Sequence, residues 1–171
     1  MRFEHLVEIN DLSQPCVRVL SRDELWAGLV VRAERPDLFL PGLAEVNVLA
    51  RTESGLVRVL SFGDVRITDE VRFVGRALVR YEIPAQAEIS RSSLEMSIEE
   101  PHAGHLFVRF VYEDERVLGD AREAAAFDDV RRAAYEAADV DTIATIRLLV
   151  ESGALAGLGR ESADRGRDRA S

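Results

Sequence analysis

EVNVLARTESGLVRVLSFGDVRITDEVRFVGRALVRYEI, residues 45–83, reads as four consecutive β-strands, and that reading decides the fold. Apolar and polar residues alternate over Glu45 to Arg51, with Val46 and Val48 sharing one face, and again over Val65 to Phe73. Leu56 to Phe62 is rich in β-forming residues, and Arg76 to Ile83 makes the fourth strand. Breaks fall at Glu53-Ser54-Gly55, at Gly63-Asp64 and at Gly75, and Pro84 ends the run. Spacers this short join antiparallel neighbours, because a parallel crossover needs a dozen residues or more.

Outward from this core the pattern continues. Ile89 to Ile98 reads as a fifth strand of the run, although its serines weaken the signal. Pro101 to Gly104 turns the chain into Leu106 to Tyr112, the cleanest strand of all. Near the start, Phe3, His5, Val7 and Ile9 alternate with Glu4, Leu6, Glu8 and Asn10, which makes seven strands in total.

Two helices frame the sheet. Ser21-Arg-Asp-Glu24 has the form of a capping box, with Leu25, Leu29 and Ala33 on one stripe, Trp26 and Val30 widening it, and Pro36 stopping the helix. Leu38 to Gly42 is a short apolar turn before the next strand. The last element is a long helix from about Ala124 to Ser152. Phe127, Val130, Ala134, Ala137, Ala138, Ala144, Leu148 and Leu149 give its expected apolar face, Ile143 and Ile146 broaden that face, and Asp139 or Asp141 marks an expected kink. Residues 1–152 form one expected domain, and 153–171 form a C-terminal tail that is expected to be disordered, its end from Gly159 charged and aperiodic.

The bulk numbers exclude several classes. A net charge of −9, with all 22 basic residues Arg and scattered among acids, opposes nucleic-acid binding and docking on anionic membranes. No apolar run is long enough to insert in a bilayer, and MRFEHLVEIND carries acids where a signal peptide needs apolar residues, so a cytoplasmic location is expected. The single cysteine, Cys16, allows neither an internal disulfide nor a Cys-based zinc cage, and reads as a loop residue. His102 and His105 in H-A-G-H are three apart in a turn, which is poor geometry for a metal, and no metal or cofactor is expected.

FEHLVEIND at 3–11, LSRDELWAGLVVRAERPDLFLPG at 20–42, SFGDVRITDEV at 61–71 and ADVDTIATIRLL at 138–149 resemble, in that order, the AtaL-like family of the START-like, or SRPBCC, superfamily. The resemblance covers about residues 1–152. It implies an α+β helix-grip fold, in which a seven-stranded antiparallel sheet wraps a long C-terminal helix around an internal apolar cavity. Members of the wider superfamily bind lipids, sterols, hormones and polyketides, and some are enzymes. The family branch is largely uncharacterised, so the resemblance supplies no catalytic motif.

Alternation sets the inward face. Val46, Val48, Val65, Ile67, Val71, Phe73, Val79, Tyr81, Ile83, Leu94, Met96, Ile98, Leu106, Val108, Phe110 and Tyr112 are expected to meet the helix. His5 and Asp69 share faces with these apolar residues. A carboxylate so placed must be paired, hydrogen-bonded or protonated, and a buried imidazole can move protons, so this pair is the candidate acid and base. The candidate ligand contacts are Tyr81, Ser92, Met96, Phe110, Tyr112 and, on the long helix, Tyr135.

The first expectation is therefore a protein that binds a small hydrophobic or amphipathic molecule. The alternative is a secondary-metabolism enzyme (a cyclase, dehydratase or isomerase) using the same cavity. A third reading is an interaction module that fills its own cavity and forms a homodimer through an exposed sheet edge.

Overall fold

The structure, a computed structural model, describes residues 1–14, 16–115 and 121–158, with 121–126 described in backbone only. The element order is β1 (Arg2–Glu8), α1 (Arg22–Glu34), a single 3-10 turn (Pro36–Leu38), β2 (Glu45–Thr52), β3 (Gly55–Phe62), β4 (Val65–Val74), β5 (Leu78–Ile83), β6 (Ser92–His102), β7 (His105–Asp114) and α2 (Ala121–Glu151). One sheet in the order β1-β7-β6-β5-β4-β3-β2 contains all seven strands, and each neighbouring pair is antiparallel.

Tight turns set the register. Gly63-Asp64 places Phe62 opposite Val65, so Leu60 faces Ile67, Arg58 faces Asp69 and Leu56 faces Val71. Gly63 has φ of +58°, a conformation that glycine adopts without steric cost. Gly55 permits the close β3–β4 approach, since a Cβ there would lie 2.1 Å from the Val71 carbonyl oxygen. Two strands begin later than expected. Arg76, at φ 53°, belongs to the β4–β5 turn, and Gln86 and Ile89 bridge each other in the loop before Ser92.

The capping box closes as expected. The Glu24 amide donates to the Ser21 hydroxyl at 3.1 Å, and the Ser21 amide donates to Glu24 at 2.9 Å. α1 buries Leu25, Gly28, Leu29, Val31 and Ala33, and the Trp26 ring meets Phe73 of β4 edge-on at 6.2 Å. Asn10 is a buried clamp: its side chain donates to the carbonyls of Leu20 and Gly104 and accepts from the Leu20 amide, tying the first loop to the β6–β7 turn.

α2 lies against β1 and α1, and Ile143 and Ile146 enter the core with Val71, Val79, Met96, Val108 and Phe110. Its orientation differs from the one expected. Phe127, Val130 and Leu148 are 47%, 69% and 65% exposed, and Ala134, Ala137, Ala138 and Ala144 also face outward. Ile143 and Ile146 do face inward as expected, but the rest of the inward stripe is Tyr135, Asp139 and Thr142. The small and apolar residues follow a helical period on the wrong side, while the covered side carries polar groups with specific partners. Asp139 marks no break in α2, which runs unbroken past it. Val65, expected inward, is 51% exposed beside the Gly63-Asp64 turn.

Gly153, at φ 76°, ends the long helix. The expected tail then starts with one more helical turn, residues 154–158, on which Leu155 is buried. A helical turn thus stands at 154–158 where disorder was expected, and the rest of the tail, from 159, falls outside the described residues. No described helix is long and apolar enough to cross a membrane.

Candidate functional site

Two polar clusters stand on the inner face of the sheet, beneath the helices. The first grows from β3 and β4. Arg58 projects inward between Leu56 and Leu60 and is 2% exposed. Its Nε and Nη2 donate to the two carboxylate oxygens of Asp69 at 2.8 Å each, and its Nη1 donates to the Ala33 carbonyl at the end of α1. A buried charge this well matched is held by its partner, and either member alone would be strongly destabilising. The Asp69 carboxylate is thus the counter-ion of a buried arginine.

Above this pair lies Tyr81 of β5. The guanidinium carbons of Arg32 and Arg58 stand 5.1 and 5.3 Å from its ring centre. The Tyr81 hydroxyl is buried and has no hydrogen-bond partner among the described residues. Arg32, on α1, donates from Nε to the Thr142 hydroxyl of α2 at 3.4 Å.

The second cluster joins β1, β7 and α2. Asp139, 1% exposed, accepts from the Tyr112 hydroxyl at 2.5 Å, and its other oxygen lies 3.1 Å from Nδ1 of His5. Burial pushes the Asp139 carboxyl above its ordinary range, against the lowering effect of the bonds from Tyr112 and His5. Burial, and then the Asp139 charge, push the Tyr112 phenol far above its ordinary range. The Arg32 charge opposes both shifts, so it acts on this cluster too. The Tyr112 and Tyr135 rings stack at 4.0 Å and 5°, and Arg131 donates to the Tyr135 hydroxyl at 2.9 Å and also reaches Asp114.

Between the clusters is a cavity of about 260 Å³. Leu40, Leu60, Phe62, Ile67, Ile83 and Leu94 provide its apolar wall. Arg32, Arg58, Asp69, Tyr81, Ser92, Ser93, Tyr112 and Tyr135 provide its polar groups, with Glu113 and Asp114 completing the lining.

The structure places four candidate ligand contacts, Tyr81, Ser92, Tyr112 and Tyr135, on this lining. The other two are elsewhere: Met96 and Phe110 are fully buried in the core, inward as the alternation of their strands requires, but the helices cover them. His5 and Asp69 do not meet. His5 belongs to the Asp139 cluster and Asp69 to the Arg58 cluster, four strand spacings apart, or about 19 Å along the sheet. His105 lies 2.7 Å from Glu8 through Nε2, and among the described residues no three potential metal ligands converge. Sequence reasoning missed Arg32 and Arg58 and gave Asp139 a different role. A signal for Arg58 was present: it alternates with Leu56 and Leu60 and stands four residues before the turn residue Phe62, as Asp69 stands four after Val65.

Comparison with known proteins agrees with this architecture. The di-domain ARO/CYC StfQ from the steffimycin biosynthetic pathway superposes with a TM-score of 0.66 at 10% identity, over 90% of this chain and 51% of that one, so the chain spans about half of StfQ. The ZhuI aromatase/cyclase from Streptomyces sp. R1128 gives 0.58 at 18% identity, covering 88% of this chain and 93% of that one. Ara h 8.0201 gives 0.55 at 14% identity, covering 89% and 98%. These likenesses establish the helix-grip fold. Among curated protein sequences, none matches the chain. Residues 7–153 match the family described as acetylaranotin biosynthesis cluster protein L, and the chain belongs to that AtaL family.

Proposed function

We propose that this protein binds a small amphipathic molecule in the cavity between the sheet and the two helices. The observation that carries the proposal is the cavity itself, about 260 Å³ in size, with an apolar wall and the polar groups of Arg32, Ser92, Tyr112 and Tyr135 on its lining. The surrounding wall is largely apolar with a few convergent polar groups, the usual composition of a small-molecule pocket. A cavity of about 260 Å³ suits a compact ring system rather than a long lipid chain. The aromatase/cyclase descriptions of the structural neighbours and the biosynthetic description of the family support an aromatic or polyketide-like ligand.

Binding accounts for the site better than acid–base turnover between His5 and Asp69. Each of those groups is tied to an internal partner, and they stand in separate clusters.

The test is native mass spectrometry of the purified protein together with Ser92→Trp, which adds bulk at the cavity wall. Wild type should carry an extra small-molecule mass, or show a thermal shift with an aromatic polyketide, and the variant should lose it while keeping its circular dichroism. A bare mass and no thermal shift across lipids, sterols and aromatic polyketides would refute the proposal.

A further inference from the structure

We infer that the ligand carries a carboxylate and that Arg32 holds it, an inference that rests on the cavity being a ligand site. The argument begins with the charges that face the cavity. Arg58 is neutralised, since both oxygens of Asp69 accept from it and the Ala33 carbonyl takes its remaining direction. Asp114 is paired with Arg131, and Glu113 with Arg2. Arg32 is different. No carboxylate among the described residues lies within ion-pair distance of it, and its one hydrogen bond, from Nε to Thr142, is long at 3.4 Å. Its two Nη groups therefore bring four N–H donors to the lining with no acceptor among the described residues.

The nearest buried acid does not fill this role. Asp139 feels the Arg32 charge, but its oxygens are occupied by Tyr112 and His5. Arg32 thus stands beside an acid that is already hydrogen-bonded, in contact with a tyrosine whose hydroxyl is not. The guanidinium carbon lies over the Tyr81 ring at 5.1 Å from its centre, so the two side chains belong to one end of the cavity. With Nε turned to Thr142, the Nη1–Nη2 edge of the planar guanidinium is free, and that edge suits a carboxylate. The opposite wall, with Leu60, Phe62, Ile67, Ile83 and Leu94, is apolar and takes the ring body. The ligand class is therefore a compact aromatic acid rather than a neutral sterol or an acylglycerol.

The experiment uses 2-naphthoate and its isosteric neutral partner 2-naphthamide, titrated by calorimetry into wild type, Arg32→Gln, Arg32→Lys and Tyr81→Phe. Wild type should prefer the acid by about tenfold or more, the size expected of a charge-assisted hydrogen-bond pair. Arg32→Gln should weaken the acid far more than the amide and so abolish that preference, Arg32→Lys should keep part of it, and Tyr81→Phe, which keeps the ring under the guanidinium, should leave the preference in place. Equal affinity for acid and amide in wild type, or a preference that survives Arg32→Gln, overturns the inference while leaving the cavity reading standing. Failure of both compounds to bind overturns the inference and counts against the cavity reading as well. Far-UV circular dichroism of each variant separates loss of binding from loss of fold.

Discussion

Asp69 and Arg58 face each other across the β3–β4 hairpin with both carboxylate oxygens at 2.8 Å from guanidinium nitrogens, and both side chains are almost fully buried. The pair occupies the floor of the cavity and also reaches up to the Ala33 carbonyl, so it fastens the end of α1 to the sheet. Its role is to present a neutral, rigid floor beneath Tyr81.

Asp69→Asn or Arg58→Met alone should each destabilise the protein by about 3–5 kcal/mol, because the remaining charge stays buried without its counter-ion. The double replacement Arg58→Met with Asp69→Leu should recover most of that loss. Urea denaturation of the four proteins measures the coupling. Additive losses would show that the two groups do not act as a pair.

Gly28 permits the α1–α2 contact. A Cβ at this position would lie 2.5 Å from Cγ2 and 2.9 Å from Cγ1 of Ile146, which is itself fully buried. Gly28→Ala should therefore cost about 1–3 kcal/mol from overpacking, in spite of a helix-propensity gain of about 1 kcal/mol. Adding Ile146→Ala should make the alanine at 28 neutral or favourable. Thermal melts across this cycle decide it, and a stabilising Gly28→Ala in the wild-type background would be the contrary result.

Tyr112 should stay protonated through the alkaline range in which an ordinary phenol ionises. Burial and the Asp139 charge raise its folded pKa, whereas the unfolded chain titrates near 10. Above about pH 10 the unfolded state releases a proton that the folded state retains, so stability falls by about 1.4 kcal/mol per pH unit from this group. Spectrophotometric titration at constant ionic strength is the measurement. Tyr112→Phe should leave the native part of the curve unchanged and remove only absorbance that appears on alkaline unfolding. Loss of a native-range step in Tyr112→Phe would contradict the assignment.

Asp139 gives the opposite end of the pH scale. Its folded pKa is raised above 3.8, so the folded state binds the proton more tightly than the unfolded one. Stability from this group is greatest when it is protonated, falls as pH rises from about 3.8 through the folded value, and is level above it. The facing groups are Tyr112, His5 and Arg32, and a His5→Gln background removes the titration of the imidazole. In that background, Asp139→Asn should gain on its parent as pH rises from 4 to 7. A constant difference, or one that favours the parent at higher pH, would rule out a raised carboxyl.

The hairpin strands were legible because their information is local. Gly63-Asp64 sets the register, and counting back from the turn puts Arg58 opposite Asp69 without reference to any other element. The capping box at Ser21 and the stripe of Leu25, Leu29 and Ala33 are local in the same sense. The direction of α2 was not legible. Periodicity gathered Ala134, Ala137, Ala144 and Leu148 onto one apolar face with Ile143 and Ile146, and of these only the two isoleucines are buried. The covered stripe is set by Asp139 finding His5 and Tyr112, which lie 134 and 27 residues away along the chain.

The strands from β2 to β7 and most of their inward faces were determined by the amino-acid sequence alone, since turn residues and period-two alternation act over a few neighbouring positions, whereas the place of β1 beside β7, which pairs Arg2 with Glu113, was not. Which inward residues line open space and which are sealed in the core was decided only by the tertiary structure. Phe110 and Tyr112 point the same way from one strand, yet the helices cover the first and leave the second on the cavity. The physical reason is that closure of a cavity depends on how α1 and α2 lie across the sheet. That placement is fixed by contacts such as Gly28 with Ile146 and Arg58 with Ala33, between residues far apart in the chain.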